Sequence, residues 1–146
     1  KSKEAMVAVM RRGIEREKVF PLLPGSAQYM RGAEHTADII EQAPVIVLIV
    51  NTMGLDLHKR ITPEGRIYEI CNAQSIGAAI ENMALTATEL GLGSLWICDT
   101  YFAYPELKEW LGVQGELFAA LTVGYAGEEP AARPRRPFDE VTEWRN

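Results

Sequence analysis

"NAQSIGAAIENMALTATELGLGSLWI", residues 72–97, decides how this chain folds. Ile76, Ile80, Met83, Ala87 and Leu90 recur at spacings of four, three, four and three, which puts them on one face of a helix over about 72–90. Gly77, Ala78, Ala79 and Ala84 keep the neighbouring faces thin, so another backbone can come close, and burial on more than one side is expected. Asn72 or Ser75 is placed to cap the start. Gly91 suits the left-handed residue just past the end. The strand "SLWI" then runs to Ile97 and stops at the polar pair Cys98-Asp99. A helix, two glycines and a short strand in this order place backbone at a fixed spot.

Working outward, "VIVLIV" at 45–50 is a continuous β-branched run, the pattern of a strand buried on both faces. With the long helix and the 94–97 strand it suits a right-handed crossover. "LFAALTVGY" at 117–125 reads as a second buried strand, and "PELKEWLG" at 105–112 as a short helix opened by Pro105. Before them, residues 2–16 suit a helix with Met6, Val9, Met10 and Ile14 on one face, weakened by Gly13. Residues 18–33 read as an ordered loop, and "AEHTADIIEQA" as a helix ended by Pro44. The polar stretch 51–66 is a long loop of the kind that carries function or moves. Strands alternating with helices around a central sheet indicate an α/β or α+β layered fold.

The 146 residues fit one domain, with enough chain to bury roughly 70% of its unfolded surface. A net charge of −5 argues against a nucleic-acid partner, which needs a basic footprint. No apolar run is long enough to span a bilayer, and no signal peptide is visible, so no membrane partner and a cytoplasmic location are expected. Cys71 and Cys98 lack metal-type spacing and read as reduced, packed thiols. His35 and His58 are isolated, so no metal site is expected. The chain starts at Lys1 and not at Met, as a cut or processed chain would.

From residue 72 onward the sequence resembles the FMN-dependent nitroreductase family. The carrying motifs are the 72–97 stretch, "LGV" at 111–113, "VGY" at 123–125 and "RPRRPFDEVTEW" at 133–144. Residues 11–51 also look like the middle of one subgroup, so the likeness covers nearly the whole chain. The resemblance implies an α+β fold with a central mixed β-sheet flanked by helices, in an intertwined homodimer. The expected organisation is one domain over 1–146 with 128–146 as an extended C-terminal tail. The Arg-rich segment with which such proteins usually open, a source of flavin contacts, is not among these residues. The domain is therefore expected to be N-terminally incomplete.

The implied activity is reduction of nitroaromatics, quinones or similar small-molecule acceptors through FMN, with NADH or NADPH as donor. The cofactor carries the chemistry and the protein binds and orients it, so no catalytic side chain is expected. The alternative is a flavin-poor, inactive core dimer. By position in the family, Ile97, Cys98 and Asp99 match the turn whose backbone N–H meets N5 or O4 of the isoalloxazine. A rigid strand end suits that task. Read alone, the same stretch is a core strand entering a loop, and Cys98 as a hydrolytic nucleophile has no supporting motif.

Arg133, Arg135 and Arg136 fall within four residues among prolines. Read alone they are a solvated charge run. The resemblance implies that Arg135, with Arg133, grips the FMN phosphate, a task that suits a bidentate, permanently charged group, while Arg136 faces water. Ser26 and Tyr29 are weaker candidates for the rim of a substrate channel. Phe138, Val141 and Trp144 recur every third residue with no local core, so the tail from about Pro130 is expected to dock on a partner subunit.

Overall fold

The computed structural model describes residues 2–23, 25–53 and 60–145, apart from the Ser26 side chain. His58 and the Ser26 side chain therefore lie outside the described residues.

Ser2 opens helix α1 (Lys3–Val19): its hydroxyl accepts the Ala5 N–H at 3.2 Å, satisfying a first-turn donor. Met6, Val9, Met10 and Ile14 form the expected buried seam. Gly13, costly to a helix by propensity, allows α1 to approach its neighbour. A Cβ there would lie 2.3 Å from Ala103 Cβ and 2.5 Å from Ala103 Cα. The 18–33 segment is more helical than its prolines suggest. α1 runs through Val19, a 3-10 helix covers Ser26–Tyr29, and α2 spans Met30–Gln42. Pro44 then separates α2 from β1 (Val45–Asn51), as its geometry requires.

The long helix α3 spans Pro63–Glu89 and starts nine residues before the expected start at residue 72. Its cap is Thr62, whose hydroxyl accepts the Gly65 N–H at 3.1 Å, and not Asn72 or Ser75. Pro63 at the first position fits this start. The early turns escape an amphipathic search because Ile67, Tyr68 and Ile70 are exposed and belong to neither core cluster of the described residues. At the other end Gly91 adopts φ 72°, the left-handed stop that was expected. Strand β2 (Gly93–Ile97) follows, then a 3-10 helix at Asp99–Ala103, α4 (Tyr104–Leu111) and β3 (Glu116–Gly124).

The sheet has the order β1-β3-β2, with β3 central. Both pairings are antiparallel, with Val47 opposite Leu121 and Ile97 opposite Ala120. Among the described residues the sheet is thus antiparallel throughout and not mixed, while the helix-flanked α+β class holds. β1 and β2 run parallel to each other on either side of β3, joined through α3 as a crossover connection. A bulge interrupts the ladder between Ile49 and Val50. It turns both Phe118 and Ala119 toward the α3 side.

β3 divides two cores. Ala120 and Leu117 join Met10, Ile14, Ile40 and Leu107 beneath α1, α2 and α4. Ala119 and Leu121 join Ile80 of α3 in a much smaller cluster. β1 is not buried on both faces: Ile46 and Leu48 pack on the larger core, whereas Val45 and Val47 are 51% and 37% exposed. The cause is that β1 is an edge strand and α3 packs on β2, leaving the outward side of β1 uncovered. Cys71, on α3, and Cys98, just past β2, are both exposed and not packed.

Candidate flavin site at the end of strand β2

β2 carries Ile97 into the core at 2% exposure, beside Ala120 of β3. At Cys98 the backbone leaves the extended region (φ −101°, ψ −13°) and the 3-10 helix begins. Tyr101 N–H donates to the Cys98 carbonyl at 3.1 Å. The N–H groups of Asp99 and Thr100 precede that first rung, so they have no intrahelical acceptor, and the Cys98 side chain does not cap them. Cys98 is exposed at this point while Thr100 is fully buried. The turn therefore combines a buried anchor, an exposed rim and backbone donors without helical partners. That donor set fits the polar edge of a flavin ring.

The side chains here are committed elsewhere. The Asp99 carboxylate accepts the Thr36 hydroxyl of α2 at 2.6 Å. Loss of solvent around the sulfur, and then the Asp99 charge, push the Cys98 thiol up. A thiol held protonated in this way is a poor nucleophile. Burial, and then Cys98, push the Tyr101 phenol up as well. Tyr101 stacks on Tyr104 with ring centroids 6.2 Å apart.

The far end of the same segment is held by Arg16 of α1, which donates to the Phe102 carbonyl at 3.2 Å and to both carboxylate oxygens of Glu106 at 2.9 and 3.0 Å. Glu17 beside it is 2% exposed. It accepts the N–H groups of Leu22 and Leu23 at 2.9 and 2.8 Å and pairs with Arg16. Burial alone would raise the Glu17 carboxyl, but those two N–H donors and the Arg16 charge outweigh it and hold the group below its usual range. Arg16 likewise holds Glu106 low.

Thr36 and Arg16 were not among the sequence candidates. Thr36 shares the α2 seam with Ala33, Ala37 and Ile40, and a hydroxyl in such a row is the signal that could have found it.

The arginines lie elsewhere. Every residue from Glu128 to Arg145 is exposed except the half-buried Thr142. Arg133, Arg135 and Arg136 are exposed, and no hydrogen bond or ion pair within the described residues involves them. Their exposure leaves all three guanidinium groups open to solvent or to a further partner. Tyr29 is exposed, at the end of the 3-10 helix before α2. Among the described residues no group of three or more His, Cys, Asp or Glu could hold a metal ion, and no helix is long and apolar enough to cross a membrane.

A family model described as the nitroreductase family matches residues 4–125. The chain belongs to the nitroreductase family. The matched span contains the β2 turn and Thr36, and it ends before the tail arginines. Solved nitroreductase folds agree with this architecture. A nitroreductase-like protein from Bacillus cereus superposes with a TM-score of 0.64 at 19% identity, over 97% of this chain and 66% of that one. A BluB-like flavoprotein from Clostridium difficile 630 gives 0.56 at 25%, over 99% and 74%. An NADPH:FMN oxidoreductase from Vibrio harveyi, complexed with NAD+, gives 0.60 at 16%, over 100% and 69%. This nitroreductase chain thus spans about two thirds to three quarters of the length of these relatives.

Proposed function

We propose that this chain works as a flavin-dependent oxidoreductase subunit, using FMN with NADH or NADPH to reduce nitroaromatics, quinones or similar acceptors. The observation that carries the reading is the nitroreductase family match, which runs through the β2 turn. The flavoprotein and NADPH:FMN oxidoreductase among the structural relatives support the cofactor class. In this reading Ile97, Cys98 and Asp99 contribute backbone and not side-chain chemistry. The N–H groups at the turn meet the ring edge, and the buried Ile97 and Thr100 keep them from moving. FMN, when bound, supplies the hydride and electron transfer. The protein orients it and excludes water.

The functional unit in this reading is a homodimer. Its supports are the exposed apolar residues of α3 and of the tail, which would leave a lone chain prone to aggregation. The tail of one subunit then reaches the other and presents Arg135, with Arg133, to the FMN phosphate. A second reading, a flavin-poor core dimer, is favoured by one observation: these arginines are exposed, and no hydrogen bond or ion pair within the described residues holds them. Titration with FMN under anaerobic conditions, followed by NADH or NADPH, tests both. Saturable binding and bleaching of the yellow band by the nicotinamide are expected. A folded dimer that stays colourless at saturating FMN supports the second reading.

A further inference from the structure

Thr36 is the one polar residue among the buried residues of α2, set between Ala33, Ala37 and Ile40. A hydroxyl in an apolar row is a loss unless it makes a hydrogen bond. This one donates to Asp99, sixty-three residues away, at 2.6 Å, the short distance of a bond to a charged acceptor. Asp99 is the first residue of the 3-10 helix that follows β2. Aspartate in a turn readily accepts N–H groups of its own backbone two residues on. Here its carboxylate faces α2 instead, and Tyr101 N–H remains with the Cys98 carbonyl. The other end of the segment is fixed independently by Arg16 on the Phe102 carbonyl.

We propose that Thr36 is a positioning residue for the flavin turn: its bond to Asp99 sets the backbone at Cys98–Asp99 and keeps the carboxylate turned away from the ring. This rests on the flavin reading of the turn given above. Thr36 touches no cofactor in this account and acts only through Asp99. A carboxylate released toward the ring would also oppose the negative charge that a flavin gains on reduction.

Three readouts test it on the full chain: FMN affinity by quenching of flavin fluorescence, the midpoint potential of the bound flavin, and amide hydrogen exchange of the flavin-free protein. Thr36→Val is expected to weaken FMN about tenfold, lower the flavin midpoint potential, and speed exchange at 98–101 while α2 and β3 stay protected. Thr36→Ser keeps the donor and is expected to restore all three. Asp99→Ala breaks the same bond from the other side but leaves no carboxylate to face the ring, so for affinity and exchange, though not for the potential, it serves if Thr36→Val does not fold. The double variant is expected to lose no more than either single one, because both remove one interaction. The proposal is overturned if Thr36→Val leaves exchange and affinity unchanged, if exchange rises throughout the chain, or if the double loss is the product of the single ones. A wild-type chain that binds no FMN overturns the flavin reading and the positioning role with it. The exchange arm then still reports separately whether the Thr36–Asp99 tie holds the turn.

Discussion

On one face of the sheet, α1, α2 and α4 bury Met10, Ile14, Ala33, Ala37, Ile40 and Leu107 to 1% exposure or less. On the other face α3 buries only Ile80 and Ala87 of its 27 residues, and Ile67, Tyr68, Leu85 and Leu90 stay more than half exposed. Both faces are built from similarly apolar sequence, yet only the first is closed by the chain's own packing. The first face also holds the supports of the β2 turn, Thr36 and Arg16. The second face and the tail hold apolar side chains and arginines that are exposed in one chain. The comparison teaches that fold stability rests on the closed face, whereas the proposed phosphate and dimer contacts rest on the open one, so substitutions can separate the two.

The largest effect is expected from opening the closed face at Glu17. Glu17→Ala strips the Leu22 and Leu23 N–H groups and Arg16 of a buried partner. Arg16 keeps Glu106, so the loss comes from the two N–H bonds to a charged group, about 1.5–3 kcal/mol each. Urea unfolding checks this. A loss below about 1 kcal/mol would mean the pair is far less buried than described here.

Next comes Gly13→Ala. It forces a methyl against the Ala103 backbone and is expected to cost about 3 kcal/mol, the upper range for overpacking, despite the gain in helix propensity. A more stable variant would show that α1 and the 98–103 segment are not in close contact.

On the open side, Arg135→Ala is expected to leave unfolding unchanged and weaken FMN by about 1.5–3 kcal/mol, the worth of a charged hydrogen bond, or roughly ten- to a hundredfold. Riboflavin, which lacks the phosphate, is expected to bind as before. Equal losses for both ligands would show that Arg135 acts through the fold.

The mildest effect is the response to acid. Glu17 and Glu106 are held below the ordinary carboxylate value of 4.5. Their contribution is therefore complete above that value and is lost as the pH falls through their lower folded-state values. Thermal unfolding from pH 6 down to 3 is expected to weaken the closed face first, with exchange rising at 16–23 before β3. Simultaneous loss everywhere would mean these carboxylates play no special part.

The strands, the left-handed stop at Gly91 and the α1 seam were legible because each rests on local spacing or on one residue's backbone freedom. The start of α3 was not legible from periodicity. Its first turns bury nothing, and only Thr62-Pro63 marked the cap. The character of β1 was misread because "VIVLIV" carries the same residues whether a strand is central or at an edge; pairing partners decide that. At Gly77, one of the small residues expected to let another backbone come close, a Cβ would lie in ordinary contact 3.4 Å from the Trp96 ring. The site was half legible. Residues 97–99 could be placed by resemblance, while the tie to Thr36 depends on a contact across the fold that no local pattern encodes.

The most direct test of the central claim, that a second copy closes the open face, is the mass in solution by light scattering. At about 10 μM, several orders of magnitude above the Kd of a stable dimer, the wild-type chain is expected at twice the 16.3 kDa of one chain. Leu85→Glu on the open side of α3 is expected at the single-chain mass with its helical content intact. A wild-type chain that remains at 16.3 kDa up to high concentration, folded and without aggregation, would contradict the account.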